Sequence, residues 1–310
     1  MNNKKQTRRG PATDNVAKFT IASDGTLLAA AATLLPDHKP TKLKSLLRHN
    51  QLAINGVPTT QFDAPVHAGD KLWVNFDRSF QVFSHPRIKL VHEDNDIIIV
   101  DKGYGVLSTA AGRPSDDTVY NIIKKYARGF SDKANVYVVH RLDRDTSGLM
   151  LLTRTKQARD KLISNWSNMV IDRKYIAVVE GKVEQPEGVI KSFLAENPDT
   201  FEMYSTTDPK LGQLAATRYR VLQQGSQFAM VEIEIKTGRK NQIRVHMHDM
   251  GNPVSGDRKY GGHPSPINRV ALHATTLSFV HPITGQVVTY HSPAPPSFTS
   301  LVEGTKKKKS

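Results

Sequence analysis

Ile97-Ile98-Ile99-Val100 sets four β-branched residues in a row, and Leu149-Met150-Leu151-Leu152 after Gly148 is a second run without a polar break. β-branched side chains crowd a helix but suit a pleated surface, and a strand that is apolar at every position has both faces covered. Two such runs commit the chain to a sheet with a buried interior. Further on, Ala229, Val231, Ile233 and Ile235 alternate with Met230, Glu232, Glu234 and Lys236, the period of a strand with one wet face. Helical spacing is confined to a few stretches: 117–129, with Val119, Ile122, Ile123 and Tyr126 on one side; 155–166; and 239–250, where Ile243, Met247 and Met250 form a stripe. Beyond residue 173 strand follows strand, so the expected class is α+β with a long mixed or antiparallel sheet.

A length of 310 residues suits two domains. With no cysteine, disulfide scaffolds, thiolate metal sites and thiol nucleophiles are excluded. No apolar stretch approaches the roughly 18 residues of a membrane span, and the basic start is not followed by a signal-peptide core, so a cytoplasmic protein without membrane attachment is expected. The formal charge of +14 is uneven: residues 1–20 carry +4 and residues 304–310 another +4 through Lys306 to Lys309. Basic ends on a moderately basic body suit a polyanion, most simply nucleic acid.

Residues 1–25 show no apolar periodicity and are expected to form a flexible basic tail, with order beginning near Thr26. Leu27 to Leu35 favours a helix stopped by Pro36 and Pro40. A second helix from a Thr41 N-cap puts Leu43, Leu46 and Leu47 on one face, with Lys44 and Arg48 on another. Short strands with turns at Asn55-Gly56 and Gly69-Asp70 follow. This order of elements resembles the S-four-type RNA-binding domain over residues 26–76. The expected organisation is then a linker over 77–87, a main domain over 88–303 and a lysine tail over 304–310.

The segment with the densest chemistry is Val139-His140-Arg141-Leu142-Asp143-Arg144-Asp145-Thr146-Ser147-Gly148, between a strand at 136–139 and the buried strand at Gly148. Loops at the ends of rigid strands are common sites of catalysis. A purely structural polar turn is the competing reading. Three chemistries fit: a divalent cation on Asp143 and Asp145, a glycosidase-like pair completed by a second acid, or a single aspartate acting as nucleophile or base at a sugar carbon. His246 and His248, with His140 and His273, lack the carboxylate or cysteine that would complete a zinc site, so no metal is expected.

His140-Arg141-Leu142-Asp143 with Thr146-Ser147-Gly148-Leu149 closely resembles the signature of the RluA-type pseudouridine synthases. Lys174-Tyr175 with Gly181, Thr237-Gly238-Arg239 with Gln242-Ile243-Arg244-Val245-His246, and Pro253, Gly256-Asp257, Tyr260-Gly261-Gly262 and Leu272-His273-Ala274 match its further blocks in order, over about residues 88–295. Lys240-Asn241 stands where the family often has Thr-His, Lys102-Gly103-Tyr104-Gly105 replaces the commoner Lys-Pro-x-Gly, and Ser108 takes a position often held by His. None of these departures is expected to touch the Asp, Tyr or Arg positions.

The resemblance implies an isomerase that converts uridine in RNA to pseudouridine without cofactor or metal. It implies Asp143 as the catalytic aspartate, Arg244 as its partner and Tyr175 as the residue stacked on uracil and helping remove the carbon 5 proton. Arg141 would contact phosphate or assist base flipping. His140, Arg239 and Gln242 are expected at the RNA, together with Lys44 and Arg48 of the front helix. Ribosomal RNA is the expected target, because accessory domains of this kind are commoner among members acting on it. Transfer RNA is the alternative, and an RNA-binding protein without catalysis the other function class. A monomer is expected.

Overall fold

The computed structural model describes residues 16–77, 79–80, 83–110, 117–129 and 134–304. The expectations for residues 1–15 and for the Lys306 to Lys309 tail lie outside the described residues. Two compact units are present. One comprises the described residues up to Ser84 with 93–95 and 122–136; the other comprises 85–92, 96–121 and the described residues from 137 onward. The sequence suggests a single cut within 77–87, whereas the units interleave along the chain.

The front unit runs β1 (Val16–Thr20), β2 (Gly25–Thr26), α1 (Leu27–Leu34), α2 (Pro40–Arg48), β3 (Leu52–Ile54), β4 (Val57–Pro58), β5 (Pro65–Val66) and β6 (Lys71–Asn75). Its main sheet has the order β1-β6-β3-β4. Leu27, Ala31, Leu43, Leu46 and Leu47 from the helices and Leu52, Leu72 and Val74 from the strands form its core. Two expectations fail here. Order begins ten residues before Thr26, because Val16 to Thr20 pairs antiparallel with Lys71 to Asn75 and packs Phe19 on the core. The second helix begins at Pro40 after Lys39, not at a Thr41 cap. A first-turn N–H has no intrahelical partner, so proline is well tolerated there.

The rest continues with β7 (Ile88–Glu93), β8 (Ile97–Lys102), α3 (Val119–Arg128), β9 (Tyr137–Val138), β10 (Ser147–Thr153), α4 (Lys156–Ser164) and α5 (Trp166–Met169). The long meander β11 (Val170–Glu180), β12 (Glu187–Glu196), β13 (Met203–Thr206), β14 (Gln213–Gln224) and β15 (Phe228–Ile235) follows. Then come α6 (Gln242–Asp249), β16 (Leu272–Val280), β17 (Val287–His291) and α7 (Pro296–Glu303). The main sheet of 11 strands runs β13-β12-β14-β15-β11-β16-β10-β8-β7, with β17 beside β16 and β9 beside β10. The class is α+β. Helical periodicity overshot at two ends: the 155–166 stretch breaks after Ser164, and 239–250 shortens to Gln242–Asp249 because Asn241 turns left-handed at φ 53°. Among the described residues no helix is long and apolar enough to cross a membrane.

The two apolar runs pair with each other: Ile98 lies opposite Leu152, Ile99 opposite Leu151 and Val100 opposite Met150. All six are fully buried. On its other side β10 meets β16 in parallel, through Ser147 opposite His273 and Gly148 opposite Ala274, and Ala274 in turn faces Tyr175 of β11. This junction brings the loop before β10 within reach of Tyr175. Between Lys174 and Tyr175 the β11·β16 register slips by one residue at Thr275, a bulge of the kind that re-aims a neighbouring side chain.

Gly148 makes the junction possible. Its φ is +110°, and a Cβ there would sit 2.2 Å from the Ala274 carbonyl oxygen, a backbone atom that cannot swing aside. Gly148→Ala is expected to lower unfolding stability by about 3 kcal/mol, combining backbone strain with overpacking. Chemical denaturation is the measurement; a midpoint within error of the parent would show that the two strands separate at little cost.

Candidate active site

The loop 139–146 is held from three sides. His140 Nε2 accepts the Leu151 N–H at 2.9 Å. Ser108 Oγ donates to the Leu142 carbonyl at 2.7 Å and accepts the Leu142 N–H at 3.1 Å, so one hydroxyl fixes both backbone groups of the residue before Asp143. From below, Lys102 Nζ donates to the carbonyls of Gly103 (3.0 Å), Val106 (2.8 Å) and Arg144 (3.0 Å). Burial pushes the Lys102 ammonium down to about 7, against the charges of Asp145 and Asp143. Three carbonyl acceptors around one nitrogen match the three protons of the ammonium, so this geometry favours the charged form against its burial, and Lys102 pegs the loop from below.

Helix α6 supplies the opposing wall. Gln242 Oε1 accepts from Arg239 N (3.1 Å) and Thr237 Oγ1 (2.8 Å), and its Nε2 donates to Ala216 O and Thr217 Oγ1, each at 3.0 Å. Its amide therefore ties the helix start to β14, while Gln242 still lines the cleft described below. Two residues on, Arg244 donates from Nε and Nη2 to both Asp257 oxygens at 2.6 Å, and its Nη1 lies 3.4 Å from Asp143 Oδ2. Burial alone would lower the Arg244 pKa. The hydrogen bonds and charge of Asp257, with Asp143 adding, raise it instead. Arg244 is thus a fixed cation that meets Asp143, as the resemblance implies, and is held more closely by Asp257.

The shortest bond to Asp143 comes from Asn241, whose Nδ2 donates to Oδ2 at 2.5 Å. The Lys240-Asn241 departure, which falls on none of the Asp, Tyr or Arg positions in the sequence, therefore lies against the aspartate in space. Both bonds fall on Oδ2, leaving Oδ1 without a hydrogen-bond partner among the described residues.

Asp143, Arg244 and Tyr175 line one cleft of about 350 Å³, within the usual range for small-molecule sites. Tyr175 is buried in its wall. Burial raises the phenol's pKa, Arg173 opposing and Asp143 adding, so the ring stays protonated and neutral. Arg173, which sequence reasoning missed, donates Nη2 to the Lys236 carbonyl at 3.0 Å and lies 5.6 Å over the Trp166 ring. Arg141 and Arg239 line the same cleft and are exposed, Arg239 anchored by Nε to Leu214 O at 3.0 Å. His140 also lines it, its ring 5.5 Å from that of Trp166. Lys44 and Arg48 belong to the front unit and are exposed on α2. Of the four histidines weighed for zinc, His246 bonds the Thr217 and Ser192 hydroxyls through its two nitrogens, and His273 bonds those of Ser147 and Ser292.

A family model described as RNA pseudouridylate synthase matches residues 96–249, which include the Asp143 loop, Tyr175 and α6. The chain is 31% identical over 295 residues to ribosomal large subunit pseudouridine synthase D of Haemophilus ducreyi, covering 89% of this chain and 90% of that one. The chain belongs to the RluA-type RNA pseudouridine synthases. Its identity to ribosomal large subunit pseudouridine synthase D of Escherichia coli is also 31%, over 292 residues and 88% of each chain. The solved structure of human RNA pseudouridylate synthase domain containing 4 shares the fold at a TM-score of 0.57 and 21% identity, covering 68% of this chain and 90% of that one. As a pseudouridine synthase the protein is an isomerase acting on RNA.

Burial and the nearby Arg173 charge lower His140 to about 3, and its Nε2 must stay unprotonated to accept the Leu151 N–H. Between about pH 6.5 and pH 3 the unfolded chain binds a proton that the folded chain refuses, so this contribution is complete above pH 6.5 and lost as pH falls. His140→Gln, which keeps an acceptor near the Nε2 position, is expected to flatten the stability-versus-pH slope over pH 4–6 by about 1 kcal/mol per pH unit. Denaturation midpoints measured across that range check it. An unchanged slope would mean the imidazole titrates freely in the folded protein.

Proposed function

We propose that this protein isomerises uridine in large-subunit ribosomal RNA and that Asp143 acts directly at the ribose. The supporting observation is the carboxylate itself, held on one oxygen by Asn241 and Arg244 and open on the other, within a cleft lined by a neutral Tyr175. The target class follows relatives whose names specify the ribosomal large subunit, and a ribosomal RNA substrate implies action in the cytoplasm.

The reaction balances with these groups alone. The bond from uracil N1 to ribose C1′ breaks, the ring turns, and C5 bonds to C1′; C5 then loses a proton and N1 gains one. Composition and oxidation state are unchanged. Asp143 Oδ1 either attacks the sugar or removes its 2′ proton, both of which need a carboxylate aimed at the ribose. The uridine has to leave its stack to enter a cleft of this size. Tyr175 offers it a ring face, and the raised phenol pKa makes stacking a better role for it than proton abstraction. Arg141 and Arg239 at the opening suit the flanking phosphates.

Asp143→Asn keeps the shape but removes the anion, and is expected to cut tritium release from carbon-5-labelled uridine RNA by at least about 1,000-fold while RNA binding persists. Turnover within about tenfold of the parent would remove Asp143 from the chemistry. For the front helix, the combined Lys44→Gln and Arg48→Gln change is expected to reduce the salt slope of single-stranded RNA binding by about 1.4, from two lost phosphate contacts. Affinity should move more than the single-turnover rate at saturating RNA. A constant slope with a collapsed rate would make α2 a positioning element instead of an electrostatic grip.

A further inference from the structure

We infer that Asn241 is a positioning residue for Asp143, setting which carboxylate oxygen faces the ribose. The inference rests on the proposed role of Asp143. Asn241 stands at the N-cap position of α6, yet its side chain makes no capping bond to the helix. It reaches instead across to the 139–146 loop, bonding Asp143 Oδ2 at 2.5 Å, against 3.4 Å from Arg244 Nη1.

The orientation of the amide is itself determined. Tyr260 Oη donates to Asn241 Oδ1 at 3.0 Å and accepts the Met203 N–H at 3.1 Å. With its own lone pair engaged by Met203, the phenol directs its proton to Oδ1, and Nδ2 is left to face the carboxylate. A flipped amide would set its oxygen against a carboxylate oxygen and lose the bond to Asp143. Burial raises the Tyr260 pKa, with Arg244 and Met203 opposing, so the phenol keeps the proton it donates. A chain of hydrogen bonds thus runs from the Met203 backbone through Tyr260 and Asn241 to Asp143.

Arg244 cannot do this work alone. Two of its three guanidinium nitrogens are committed to Asp257, and its remaining contact with Asp143 is long. It supplies charge near the aspartate, whereas Asn241 supplies direction. Displacing a reacting group by about 1 Å costs on the order of 100-fold in rate, which is the scale on which such a bond matters.

Two substitutions separate positioning from a structural role. The backbone at Asn241 is left-handed, φ 53°, a conformation glycine takes without strain. Asn241→Gly therefore keeps the turn and deletes the amide. Asn241→Asp keeps shape and left-handed tolerance but replaces the donor with an oxygen facing Asp143. Both are expected to fold and to bind RNA within about twofold of the parent, while the single-turnover rate at saturating RNA falls about 10- to 100-fold. A rate within about twofold in either folded variant would overturn the inference. So would a loss confined to affinity, or failure of both variants to fold, which would make Asn241 a binding or structural residue. The parent and Asp143→Asn run in the same assay. An inactive parent or an active Asp143→Asn removes the proposed function and this inference with it, whereas an active parent with an inactive Asp143→Asn leaves the Asn241 variants to judge the inference alone.

Discussion

Arg244 and Asp257 form a doubly hydrogen-bonded ion pair, both bonds 2.6 Å, with the side chains only 10% and 1% exposed. Removing one member of such a pair leaves an uncompensated buried charge and typically costs 3–5 kcal/mol. The site depends on it. The pair clamps α6 to the segment before the short 258–260 turn and fixes the guanidinium with Nη1 toward Asp143. It also sets that guanidinium 5.0 Å over the Tyr260 ring. Tyr260 then orients Asn241, and Asn241 holds the carboxylate. One buried cation thus organises two approaches to Asp143, one by charge and one through a neutral chain of hydrogen bonds.

The opposite wall is fixed by backbone interactions. Ser108 holds the loop by the Leu142 carbonyl and N–H, Lys102 by the Arg144 carbonyl, while His140 anchors it to the Leu151 N–H of β10. Because these bonds involve the main chain, the loop can be pinned without occupying the Asp143 carboxylate. The close approach at Gly148 carries the same loop to β16, and the slip at Thr275 sets the direction of Tyr175. Rigid strands under the loop and a buried ion pair behind α6 together preorganise the site.

The departures from the family pattern are built into this support. Ser108 is small enough to lie against Leu142 and still serves as both donor and acceptor. Gly103 packs where a Cβ would lie 2.7 Å from the Arg87 carbonyl oxygen, and Tyr104 next to it carries the Arg269 guanidinium 4.7 Å over its ring. Arg269 in turn donates to Ser147 Oγ at 2.6 Å, at the first residue of β10.

Local pattern sufficed for much of this. The β-branched run at Ile97 to Val100, the alternation at Ala229 to Ile235 and the polar loop at 139–148 each carry their information within a few residues, so sheet, class and reactive segment were legible. The strand at Val16 to Thr20 was not, because five residues beside a basic stretch give little periodicity and their burial comes from pairing with β6, more than fifty residues away. Gln242 and Arg244 read alike as polar residues on a helix, yet one amide is consumed inside the fold and the other group meets two carboxylates. Asn241 and Asp143 are 98 residues apart, and no spacing rule links them. The sequence by itself determined the elements and the inventory of reactive groups, since these follow from steric and hydrophobic preferences of neighbouring residues. Which oxygen of Asp143 is held, and by whom, was decided only by the tertiary structure, because a hydrogen bond depends on distances and angles that exist only once β10, β16 and α6 have packed.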